Sequence, residues 1–109
     1  RSRMSVGPSD VRASAQAERW VDEHAYRPSH NVCPGKRTPV VYMHPPEGAR
    51  NAPNTRVLHT MHFGLVPSFT KADAKPDFFR MMNARSETAA SKPAFARLLK
   101  RGRCCVLIE

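Results

Sequence analysis

Ten prolines against five glycines constrain this 109-residue chain more than any other feature. Each proline fixes φ and withholds a backbone donor, so rigid loops are expected and long helices are disfavoured. The length suits one domain near the low end of comfortable size. A 40% apolar fraction with a single Trp permits a modest core.

Within that limit the apolar pattern defines a short list of elements. Arg1 to Val6 is short, basic and alternating, which suits a first strand. Ser9 or Asp10 can cap a helix running to about His24, with Val11, Ala17, Trp20, Val21 and His24 near one face. Asn31-Val32-Cys33-Pro34-Gly35 makes a turn in which Gly35 takes positive φ. Thr38 to Met43 is a β-branched strand, and His44 to Asn54 a Pro-rich loop. Arg56 to Phe63 is the partner strand, with Val57, His59, Met61 and Phe63 on one face and Leu58, Thr60 and His62 on the other. The strand is expected to turn at Gly64 and Pro67, followed by a charged connector from Thr70 to Asp77. A second helix is expected from Ser91, with Phe95, Leu98 and Leu99 facing inward until Gly102. Arg103 to Ile108 reads as a last strand. The class is α+β, with a compact, strongly bent or barrel-like sheet flanked by two helices.

Charge bears on partners. Eighteen Lys and Arg against nine Asp and Glu leave +9, and no acidic residue lies between Thr88 and Ile108. Lys92, Arg97, Lys100, Arg101 and Arg103 all fall there. A phosphate backbone is the commonest partner of such a surface, although a basic stretch is often only a solvated face. Three cysteines, two of them adjacent, make a poor disulfide framework and point to a reducing compartment. No apolar run approaches the ~20 residues of a membrane-spanning helix, and no secretory signal follows the basic start. The chain opens on Arg1 and stops at Glu109 within an apolar run, so both ends read as cut.

Few residues offer chemistry. His59 and His62, three apart on a strand, point to opposite faces, so ordinary strand histidines are preferred to a zinc site and no metal is expected. Cys33 is a candidate nucleophile with no evident base, and a buried loop cysteine is the simpler interpretation. Cys104 and Cys105 read as packing residues. Asn83 and Arg85 share a face if their segment is extended. The amide can orient a reacting aldehyde or a water, and the guanidinium can hold a phosphate bidentately. Equally, Asn83 can satisfy a turn and Arg85 an ion pair. Glu87 either pairs with Arg85 or caps the following helix.

Four motifs shift that balance. Asn31-Val32-Cys33-Pro34, His62-Phe63-Gly64-Leu65-Val66-Pro67-Ser68-Phe69, Asn83-Ala84-Arg85-Ser86-Glu87-Thr88 and Arg103-Cys104-Cys105-Val106 occur in that order. They resemble the SRAP family of SOS-response-associated peptidases, or abasic-site processing proteins. The resemblance covers Arg1 and roughly residues 30–109, and is most specific in the Asn83 to Thr88 block.

The resemblance implies a compact, mostly β fold with a positively charged channel for single-stranded DNA. It implies a mature N-terminal cysteine whose α-amine forms a Schiff base with the ring-opened aldehyde of an abasic site, and whose thiol closes a thiazolidine. The family pattern opens Met-Cys-Gly-Arg, which places that cysteine upstream of Arg1, and its catalytic carboxylate and later histidine beyond Glu109. Phe63 and Phe69 stand where the family often has Trp. Carried over, Asn83 holds the abasic sugar, Arg85 the adjacent phosphate, and Lys92 a further phosphate. Arg1 lies beside the active site, and Asn31 and Pro34 line the channel. Residues 1–109 then form the N-terminal portion of a single SRAP-like domain. The expected parent is an intracellular, monomeric, cofactor-free DNA-repair protein acting on single-stranded DNA, nuclear if eukaryotic and cytoplasmic if bacterial. The alternatives are a non-catalytic basic nucleic-acid-binding module and a thiol-dependent (auto)peptidase.

Overall fold

A computed structural model describes residues 3–109. They divide into two compact units interleaved in sequence. Unit 1 comprises Arg1–Val32, Arg37–Met61 and Cys104–Glu109; unit 2 comprises Cys33–Lys36 and His62–Arg103.

Unit 1 opens with helix α1, Pro8–Ala15. Pro8 sits in its first turn, where a missing N–H costs nothing, and Val11 and Ala15 are its buried residues. The expected continuation to His24 is not found. Gln16 adopts a left-handed conformation at φ 50° and closes the helix, and Arg19–Val21 becomes strand β1. The reason is long-range pairing. Arg19, Trp20 and Val21 lie parallel to Val57, Leu58 and His59, and this tertiary pairing overrides a helical apolar spacing. Trp20 is still a core anchor, now from a strand: its indole N–H donates to the Thr60 hydroxyl at 2.9 Å. A 3-10 turn, Glu23–Ala25, follows.

Strands β2, Arg37–His44, and β3, Thr55–His62, appear close to their expected bounds. The last strand, β4, is only Cys105–Val106, much shorter than the expected Arg103 to Ile108. The sheet has the order β1-β3-β2-β4, with β1 parallel to β3 and β4 antiparallel to β2. It is open, with β1 and β4 as its edges, so the α+β class holds and the sheet does not close into a barrel. Strand β3 buries residues on both faces, since neighbouring residues alternate sides: Val57 and Leu58 are 1% and 0% exposed, and Thr60 is buried as well. Cys105 lies on edge strand β4 and Cys104 just before it, and both are exposed residues rather than core residues. Burial nevertheless raises the Cys104 thiol pKa, with Cys105 adding to the effect.

The first strand expected at Arg1 to Val6 is reduced, among the described residues, to a bridge at Met4. Met4 and Ser29 exchange backbone hydrogen bonds of 2.8 and 2.7 Å. Glu109 fastens the same segment. Its carboxylate accepts from the Ser5 hydroxyl at 2.8 Å, the Ser5 amide at 2.9 Å and Arg3 Nε at 2.6 Å. Its own amide donates to the Arg3 carbonyl at 2.8 Å.

In unit 2 the second helix, α2, is a single turn, Pro93–Ala96, capped by Lys92 rather than Ser91. Gly102 donates to the Leu98 carbonyl at 2.8 Å. Leu98 and Leu99 are 36% and 43% exposed, so neither faces a core as expected. A one-turn helix cannot present a continuous buried stripe.

Candidate functional site

Unit 2 is organised around the end of β3. Gly64 has φ +110°, and a Cβ there would lie 2.2 Å from the Phe78 carbonyl oxygen, so only glycine fits the turn. Phe78 stacks on the His62 ring with centroids 4.9 Å apart. His62 Nδ1 lies 2.9 Å from the Gly35 carbonyl and therefore carries the proton there. Gly35, at φ +90° in the expected turn, donates to the Phe63 carbonyl at 2.8 Å. Pro34 precedes it, half-buried. Phe78 thus holds the Cys33–Lys36 turn and the His62–Gly64 turn as one cluster.

From this cluster the two motif blocks meet. Leu65 donates to the Met81 carbonyl at 3.2 Å, just before Asn83. A cavity of about 530 Å³ follows, with Val66, Pro67 and Phe69 of the first block on one part of its wall and Asn83 on another. Lys92 reaches the same cavity, its backbone pinned between two turns. Its amide donates to Thr88 at 2.9 Å and its carbonyl accepts from Ala96 at 2.8 Å. Lys75, Arg80 and Phe95 also line the space. Asp77 is the single carboxylate among the lining residues, and its Oδ1 accepts from the Phe79 amide at 3.0 Å. Three cations, one amide and an aromatic wall around a nucleotide-sized space can hold an anionic ligand and orient a polar group within it. Arg97 is fixed beyond this wall by donation to the Ser68 hydroxyl at 2.9 Å.

The residues singled out from sequence are sorted by this geometry. Asn83 and Lys92 come together in one cavity. Arg85 is exposed and does not line it. Its carbonyl accepts from Thr88 at 3.1 Å and Ala89 at 2.8 Å, while its guanidinium makes no ion pair among the described residues. Glu87 neither pairs with Arg85 nor caps α2. Asn31 belongs to unit 1, where its backbone exchanges hydrogen bonds with the Ser29 hydroxyl, and Pro34 belongs to unit 2. Arg1 lies outside the described residues. Cys33 is half-buried rather than enclosed. Among the described residues, no three metal-ligating side chains gather. Lys75 and Arg80 carry no sequence signal because they come from irregular connecting segments with no period to read, and Phe95 reads from sequence only as a packing residue of the second helix.

A family model described as SOS response associated peptidase (SRAP) matches residues 1–109, the whole chain. The chain belongs to the SRAP family. It is 33% identical over 109 residues to the abasic site processing protein HMCES of Gallus gallus, covering 99% of this chain and 32% of that protein. It is also 31% identical over 97 residues to the abasic site processing protein YobE of Bacillus subtilis, covering 89% of this chain and 40% of that protein. The chain therefore spans 32% and 40% of the length of these two relatives.

Proposed function

We propose that the full-length protein processes abasic sites in single-stranded DNA by forming a covalent crosslink, and that the unit 2 cavity receives the damaged nucleotide. The observation that carries this proposal is the convergence of Asn83 with Lys92 and Arg80 around one cavity, with Phe69 on its wall. Relatives named for abasic site processing support it. Asn83 orients the ring-opened sugar by its amide. Lys92 and Arg80 hold neighbouring phosphates, and Arg85, with no competing carboxylate, takes a phosphate outside the cavity. The covalent step belongs to the cysteine that the family pattern places ahead of Arg1. Its α-amine condenses with the aldehyde, releasing water, and its thiol then adds to the imine carbon, closing the thiazolidine without a redox change. Residues 1–109 accordingly form the N-terminal portion of one SRAP-like domain that acts as a monomer.

The test uses the full-length protein and a single strand carrying one abasic site, resolved on a denaturing gel. A heat-stable shifted band is expected with the damaged strand and none with the intact strand. Binding to both strands without a shifted band would instead indicate a non-catalytic module.

A further inference from the structure

Unit 1 carries a cavity of about 680 Å³ whose lining is unrelated to Asn83. It is formed by β1, the last residue of β2 and the proline-rich loop that follows. Arg19 from β1 and Arg50 from the loop are the two cationic residues of the lining. Glu47 is the single carboxylate of the lining. Its pair with Arg19 is long, at 3.5 Å, and the Glu47 side chain is 88% exposed. Such a pair contributes little in water and is readily displaced by a better anion. Arg50 makes no ion pair among the described residues. Two other acids of the same unit are engaged elsewhere, Asp22 with His59 Nε2 at 3.4 Å and Glu23 with Arg12, while Glu18, next to Arg19, is exposed and does not line the cavity.

The rest of the wall is apolar and ordered. Val21, Pro45 and Pro46 supply it, and the loop is fixed by hydrogen bonds of 3.0 Å from Ala49 to Pro46 and from Ala52 to Ala49. His44 Nδ1 lies 2.9 Å from the Pro45 carbonyl, which holds its ring at the cavity edge. The volume falls within the ~300–1,000 Å³ of small-ligand sites, several times what a bare phosphate fills. We infer that this cleft binds a nucleotide unit, its phosphate held by Arg19 and Arg50 and its base against the Pro45–Pro46 wall. In this arrangement Glu47 is a placeholder that the phosphate displaces from Arg19. The cleft shares no residue with the Asn83 cavity and needs no abasic site.

Full-length protein is titrated separately with thymidine monophosphate, a short oligothymidylate and inorganic phosphate, following heat and the amide resonances of residues 45–50. Both thymidine ligands should shift those resonances, and inorganic phosphate should bind more weakly. Tighter binding of the oligomer identifies a strand as the source, and equal affinity identifies a free nucleotide. Losing one charge-assisted contact, Arg50→Ala should weaken binding by about tenfold. Glu47→Gln should tighten it severalfold. These opposite signs separate a ligand site from a structural ion pair. Unchanged affinity in both variants, shifts confined to residues around Asn83, or equal affinity for inorganic phosphate and the monophosphate would overturn the assignment. Loss of crosslinking with this binding intact would instead count against the abasic-site proposal alone.

Discussion

Asn83 and Arg85 stand two positions apart yet belong to different surroundings, and substitutions should separate their roles. Both residues are exposed, but Asn83 lines the cavity, whereas Arg85 lies outside it without an acidic partner among the described residues. In the full-length protein Asn83→Ala should slow crosslinking while leaving affinity for a single strand nearly unchanged, because an orienting amide contributes little to binding a polyanion. Arg85→Ala should do the reverse. Each phosphate contact adds about −0.7 to the logarithmic salt dependence of single-strand binding, so this variant should flatten the slope by that amount. Titrations at several salt concentrations measure it, and an unaltered slope would remove Arg85 from the phosphate contacts.

Among the elements, those with local causes could be read from sequence and those with distant causes could not. β2 and β3 are legible because β-branched runs flank a proline-rich loop, and the Gly35 and Gly64 turns because positive φ demands glycine. Trp20 was legible as a core residue but not as a strand residue, since its partner segment lies at Val57–His59. In the candidate site, Asn83 is legible through its motif and Lys92 only through the family resemblance, while Arg80 and Phe95 are joined to them only by tertiary turns. The Glu109 anchor likewise has no sequence signature, because its partners are Arg3 and Ser5. That anchor makes a prediction about acid. The Ser5 hydroxyl first, then the Ser5 amide and Arg3, lower the Glu109 pKa from 4.5 to about 2. A depressed carboxylate stabilises the fold fully above its unfolded value and loses that contribution as pH falls through its folded value. The denaturant midpoint of the wild-type protein should therefore exceed that of Glu109→Gln by a constant margin above about pH 5, narrowing toward pH 2. A margin independent of pH would show that the anchor acts by shape alone.

Across the molecule, stability is unevenly distributed. Every buried hydrophobic residue among those described belongs to unit 1, from Met4 and Val11 to Val57 and Leu58. Unit 2 relies on hydrogen-bonded turns, the His62–Phe78 stack and half-buried side chains, and exposes Phe69, Phe79 and Met82. Regions with few buried apolar contacts open at lower free energy. Native-state hydrogen exchange should therefore find the amides of β3 slowest and those of residues 64–103 markedly faster, with a ligand in the Asn83 cavity slowing the latter. Equal protection in both units would contradict this division. The interleaving also bears on how the polypeptide is made. Arg3 and Ser5 leave the ribosome well before their partner Glu109, which is 106 positions from Arg3. At about 5–20 residues per second, the early segment waits roughly 5–20 s for its anchor. All of unit 2 is synthesised during that wait, so unit 1 is begun first and completed last.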